Sequence, residues 1–204
     1  MEDKKINNNE HPYVNLDLPS GTLWATMNVG ASKPSESGLY FQWGDTNGYT
    51  KEQIGKDKQF NWADYKWNPS GDGETLTKYA NTGVSLELED DAANANMGGD
   101  WHIPTPSQIQ ELLDNTTSTW STLDDVNGRL FTSKKDSSKS IFIPAAGDAL
   151  GSSVYINGRY GNIWSSMLST YGVNYGQYLY FNSDAIYPFS LFRFDGLPIR
   201  GVIG

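Results

Sequence analysis

Backbone breakers interrupt this chain before apolar runs can grow long. It carries 21 glycines and 9 prolines in 204 residues, with many Asn, Ser and Thr between them. Such residues supply turns and loops, so the segments they bound suit short strands better than long helices. Tyr13-Val14-Asn15-Leu16 and Thr22–Val29 flank Leu18-Pro19-Ser20-Gly21, the pattern of a hairpin. Gly38–Gly44 encloses Leu39-Tyr40-Phe41-Gln42-Trp43, another short aromatic strand. Further strands are predicted around Arg129–Thr132, Ser140–Pro144, Asn162–Ser166, Tyr178–Phe181 and Ile199–Ile203. Residues 45–80 predict a long loop, pinned to the core by Phe60, Trp62, Tyr65 and Trp67.

Two stretches escape this fragmentation. Glu87–Met97 predicts a helix, with Glu89, Asp90 and Asp91 in its first turn, where acids complement the dipole, and Gly98-Gly99 ending it. The second follows Thr105-Pro106-Ser107-Gln108. Thr105 can cap, Pro106 suits the first helical position, and Gln108 completes a capping box. Ile109, Leu112 and Leu113 then share one face, and Asn115-Thr116-Thr117 closes the segment. The fold class is therefore α+β: two helices and many short, mostly antiparallel strands. Residues 1–12 are polar and Asn-rich and predict a flexible end; residues 13–204 predict one domain.

The totals exclude several functions. Hydrophobic residues are 37% and aromatic residues 13%, enough to build a core. A net charge of -9 argues against nucleic acid, which needs clustered Lys and Arg; the one close basic pair, Lys134-Lys135, meets Asp136 at once. No cysteine is present, so disulfides, thiolate metal sites and cysteine nucleophiles are all excluded. The start, MEDKKINNNEHPYV, predicts no signal peptide, and no apolar run is long enough to insert in a membrane.

Catalytic motifs are equally scarce. The two histidines, His11 and His102, are far apart, and His102 suits a hydrogen-bonded structural role. The carboxylates around Glu87–Asp91 open a predicted helix and lack EF-hand spacing, so no metal and no cofactor is predicted. There is no nucleophile elbow and no phosphate loop. Adjacent acids such as Asp90-Asp91 and Asp124-Asp125 select no catalytic pair. The chain is expected not to be an enzyme.

The last third stands apart. Tyr160, Trp164, Tyr171, Tyr175, Tyr178, Tyr180, Phe181, Tyr187, Phe189, Phe192 and Phe194 alternate with Ser, Asn and Gly, the composition of a binding surface. Trp164, Tyr180, Phe181 and Ile199 sit in strand-like runs and predict core. Pro188 and Gly196 bracket Phe189, Leu191, Phe192 and Phe194 in a predicted irregular loop, because adjacent Leu191 and Phe192 cannot both point inward from a strand.

Ordered blocks along residues 13–203 resemble a group of proteins from gut Bacteroidetes and their phage. The blocks are Tyr13–Ala31, Tyr40–Thr46, Asp90–Ala93, Gly98–Thr105, Ile141–Gly147 and Ile163–Ser166. That group is similar to the Fibrobacter-type paralogous domain and to the C-type-lectin-like fold of formylglycine-generating enzyme. Its end resembles the variable region of diversity-generating retroelement targets, in which randomised adenines rewrite ligand-contact codons on a fixed scaffold. The resemblance implies that Trp164-Ser165-Ser166 precedes a variable, ligand-binding segment within about residues 160–200. Arg193, Gly196 and Arg200 would be frame. Phe189, Leu191, Phe192, Phe194, Asp195 and Leu197 would be the displayed contacts, with Asn162, Ile163, Met167 and Tyr171 around them. Pro198, Gly201 and His102 depart from the group's usual residues. The chain lacks the cysteines of formylglycine-generating chemistry and the Glu-Pro-Asn, Gln-Pro-Asp and Trp-Asn-Asp triplets of calcium-dependent sugar binding.

The expectation is a variable protein that recognises a cell-surface protein or glycan, placed outside the cell or on a cell or virion surface, as in cell adhesion or phage receptor binding. Self-association stays open. Two alternatives belong to other classes: an assembly module of a phage tail or pilus with the apolar patch as its subunit interface, and a carboxylate-dependent hydrolase.

Overall fold

A computed structural model describes residues 11–204. Most of the predicted flexible end lies outside that range. His11 and Pro12 lie within it, and the Pro12 carbonyl accepts from the Thr26 backbone N–H at 2.9 Å, so the described part of that end is tied down.

The strands are short, and among the described residues every pairing between them is antiparallel. β1 (Tyr13–Asn15) and β2 (Leu23–Ala25) form the expected hairpin, and β11 (Val202–Ile203) adds to the far edge of β2. The ends of the described chain thus meet in one small sheet. β3 (Thr116–Leu123), β4 (Val126–Ser133) and β5 (Ser140–Pro144) form a second sheet, and β6 (Asp148–Leu150) pairs with β7 (Ser153–Tyr155). The last sheet has the order β10-β9-β8, from β8 (Gly161–Leu168), β9 (Tyr175–Phe181) and β10 (Ile186–Phe192). β8 and β9 shift register between Trp164 and Leu168, where a bulge bends the sheet.

Both helices form. The first is divided: a 3-10 turn at Leu88–Asp90 precedes α1 (Ala92–Met97). Asp91 divides them. It is extended, and its carboxylate caps the Asn94 N–H at 3.0 Å while also accepting from the Ile103 N–H at 2.9 Å. A residue that caps one element and ties down a distant segment cannot also sit inside a continuous helix. α2 (Pro106–Asn115) starts with the full capping box between Thr105 and Gln108, a device worth about 1 kcal/mol. Its buried residues, Ile109 and Leu112, are three apart, on one face.

The β8–β10 sheet separates two cores. Ile163, Leu179 and Phe181 join Ile109 and Leu112 of α2, Trp24, Phe131 and Ile141. Trp164, Leu168 and Tyr178 have the opposite parity and join Trp43, Phe41, Leu197 and Ile199. β8 is therefore buried along nearly its whole length, and its apolar residues need not alternate with polar ones. The long 45–80 loop is anchored through Phe60 and Tyr65, both buried, and the Tyr65 hydroxyl donates to the Trp43 carbonyl at 2.8 Å.

Candidate ligand-binding face

β10 ends at a buried arginine. Arg193 donates to the carbonyls of Tyr79 and Val173 at 3.0 Å each, to that of Lys78 at 3.1 Å, and to the Tyr65 hydroxyl. Its guanidinium also lies 5.1–5.9 Å from the ring centres of Trp43, Tyr65 and Tyr79. Among the described residues no carboxylate is a partner; carbonyl dipoles and aromatic faces hold the charge. A little further on, the chain passes against the Phe60 ring, and only glycine fits there: a Cβ on Gly196 would approach that ring to 2.3 Å. Gly196 exchanges backbone hydrogen bonds of 2.8 Å with Ala149, which fixes the chain's course after the strand. Arg200 is buried in the same manner, donating to Asn28 Oδ1 at 2.9 Å and to the carbonyls of Ala25 and Phe142 at 3.0 Å each. Burial pulls its guanidinium down to about 9.

Next to these anchors the structure corrects the predicted irregular loop. Residues 186–192 form an ordered strand along the edge of the sheet, with Tyr187 opposite Tyr180, Phe189 opposite Tyr178, and Phe192 opposite Tyr175. Leu191 and Phe192 are both accommodated because each face has a cover. Leu191 packs against the core that holds Trp164 and Tyr178. Phe192 stacks on Tyr175 at 4.7 Å and on Phe194 at 5.3 Å, with the Trp62 ring edge-on to Phe192 and Phe194 at 6.2 and 4.9 Å.

A second aromatic group shares the parity of Leu191. Tyr160, Tyr180, Tyr187 and Phe189 follow one another with ring centres 5.5, 5.0 and 6.0 Å apart, and Phe189 meets Tyr178 at 6.2 Å. Phe189 is 58% exposed, and Tyr187 and Phe192 are also exposed. Tyr171, 89% exposed, borders a shallow depression with Gln177, Pro188, Phe189 and Ser190.

Three predicted contacts are corrected, and a fourth is moved from the exposed surface to a cavity. Ile163 and Leu197 are fully buried, one in each core, because strand parity at 163 and the bridge from Leu197 to Phe41 turn them inward. Asp195 is only 4% exposed, and Asn162, at 5%, lines a cavity beside the exposed aromatics. Phe189, Phe192 and Tyr171 are exposed; Leu191, Phe194 and Met167 are half-buried. The contact set read from the sequence omits Tyr160, Tyr175, Tyr178, Tyr180, Tyr187, Trp62 and Asp148. Period-2 pairing with residues 186–192 is the signal that finds the β9 members; nothing local points to Trp62 or Asp148.

Beside the tyrosine row lies a cavity of 290 Å³, lined by Asp148, Ile156, Tyr160, Asn162, Tyr178, Tyr180 and Leu191. Burial raises the Asp148 carboxyl, and burial followed by the nearby Asp148 charge lifts Asp195 to about 8. The other acidic group, Glu87, Glu89 and Asp90, surrounds the Lys78 ammonium at 2.6, 2.8 and 2.6 Å. A lysine already occupies the position a cation would take. Both ring nitrogens of His102 face carbonyls, of Ile103 and Gly204, in keeping with a structural role.

No family model matches the chain, and neither does any curated protein or solved structure.

Proposed function

We propose that this chain is a ligand-recognition protein whose exposed aromatics along the edge strand β10, with their β9 neighbours, contact a cell-surface protein or glycan. One observation carries the reading: large aromatics stand exposed on a strand that runs directly into buried, fixed groups. Tyr187, Phe189 and Phe192 are open to solvent, while Arg193 and Gly196 after them are locked in place. Rigid aromatic anchors on a fixed backbone contribute contact area at low entropic cost. The finer reading, a C-type-lectin-like scaffold with a diversified segment, rests on the resemblance of the sequence blocks. Burial of Arg193, Gly196 and Arg200 supports their role as frame. Burial of Asp195, Leu197 and Ile163 removes those three from the displayed set, while Asn162 lines the cavity beside the tyrosine row.

Sequencing the DNA around the gene tests the diversification. The expected result is an adenine-rich repeat near a reverse transcriptase, differing from the gene at codons such as those of Tyr187, Phe189 and Phe192. A repeat whose differences fall on Arg193, Gly196 or Arg200 would defeat it.

The hydrolase alternative also has an observation, since Asp148 and Asp195 both have raised carboxyls. Only Asp148 lines the cavity, however. Glycoside hydrolysis needs two carboxyl groups at the scissile bond, so recognition is the better-supported reading.

A further inference from the structure

The cavity beside the tyrosine row has a chemistry of its own. Three tyrosines, Tyr160, Tyr178 and Tyr180, supply aromatic walls, and Leu191 and Ile156 supply apolar ones. The polar lining is Asp148 and Asn162, and among the described residues no basic side chain lines the cavity. The Asn162 side-chain oxygen is buried and has no hydrogen-bond partner. A buried acceptor is costly to leave unpaired. Outside the lining, Asp195 Oδ1 is also buried without a partner. Ala149 and Gly196 pair directly, which puts Asp148 and Asp195 at diagonal positions on one face of that bridge. An acceptor without a donor, a carboxyl group and aromatic faces thus line one small space, with a second buried carboxyl close by.

We propose that this cavity binds one organic cation bearing N–H donors, an ammonium or guanidinium group such as a lysine or arginine side chain presents. The donors would satisfy Asn162 Oδ1 and Asp148, and the tyrosine faces would contact the cation's charge. Burial holds both acids above their ordinary range, so the protein itself supplies too little positive charge here to offset their desolvation. The inference rests on the reading of this face as a recognition surface and names the chemistry of one subsite.

The test is an amide NMR titration of the full chain with three probes: Nα-acetyl-lysine methylamide, Nα-acetyl-arginine methylamide, and the neutral Nα-acetyl-norleucine methylamide. The expected result is saturable shifts at Asn162, Tyr178, Tyr180 and Leu191 with at least one cationic probe, about tenfold or more stronger than with norleucine, the difference that one charge-assisted contact implies. Which cation binds tighter tells an ammonium from a guanidinium ligand. Asp148→Asn and Asn162→Leu should each weaken the preferred probe by about tenfold; Asp148→Asn serves if Asn162→Leu does not fold. Leu88→Ser, at an exposed site outside the cavity lining, should leave probe binding unchanged. Equal binding of norleucine, no shift with either cation, or full binding by Asp148→Asn overturns the proposal and leaves the aromatic-face reading to its own test.

Discussion

Asp195→Asn should make the protein more stable, increasingly so as pH rises. Asp195 is almost wholly buried, one carboxyl oxygen has no partner, and its carboxyl is lifted from 3.8 to about 8. A carboxyl raised on folding is protonated in the folded chain and ionised in the unfolded one between those two values. Over that interval the folded state binds more protons, so stability falls as pH rises and levels off above about 8. The slope is about 1.4 kcal/mol per pH unit, so the interval from about pH 5 to about pH 8 removes on the order of 4 kcal/mol through this group alone. Asn keeps the side chain's shape and cannot ionise. Urea unfolding followed by tryptophan fluorescence, at a series of pH values on both chains, gives the difference directly. The gap in favour of Asn should widen by on the order of 4 kcal/mol between about pH 5 and about pH 8. Parallel curves for the two chains would refute the claim that a buried carboxyl without a compensating partner sits here.

Other expectations follow from the anchors and the face. Gly196→Ala drives a Cβ into the Phe60 ring and should cost about 1–3 kcal/mol in denaturant unfolding. Arg200→Met should cost about 3–5 kcal/mol in the same assay, because Asn28 Oδ1 and the carbonyls of Ala25 and Phe142 lose their donors inside the core. Phe189→Ser, at an exposed site, should change unfolding free energy by no more than about 0.5 kcal/mol. Thr105→Ala should lower it by about 1 kcal/mol through the lost cap of α2.

Local chemistry is legible where a few adjacent residues decide the structure. Thr105-Pro106-Ser107-Gln108 encodes its own helix start, and Pro19-Ser20-Gly21 its own turn. Distant partners are not legible. Leu191 and Phe192 forbid a one-sided strand, yet the strand forms because Trp62, far upstream in the chain, joins the cluster on the second face. The predicted helix at 87–97 breaks because Asp91 reaches Ile103. Thr116, Thr117, Thr119, Trp120 and Thr122 favour a strand at β3, but the Ser and Thr there suit a loop equally, and the sequence alone predicts none. Within the site, Phe189 stands exposed between Pro188 and Ser190, and Phe192 stands exposed between Leu191 and the buried Arg193. Leu197 and Ile163 can be placed only once their bridge and strand parity are known.

The central claim is that fixed residues hold a face whose side chains are replaceable and bind. A surface-displayed library tests it most directly: Tyr180, Tyr187, Phe189 and Phe192 randomised in one pool, Arg193, Gly196 and Arg200 in another, each scored for protease resistance and then selected on an immobilised protein target. The first pool should stay largely folded and yield binders, while the second should lose most of its folded members. Equal loss of folding in the two pools, or binders that keep their affinity when the four face positions are returned to small residues, would contradict the account.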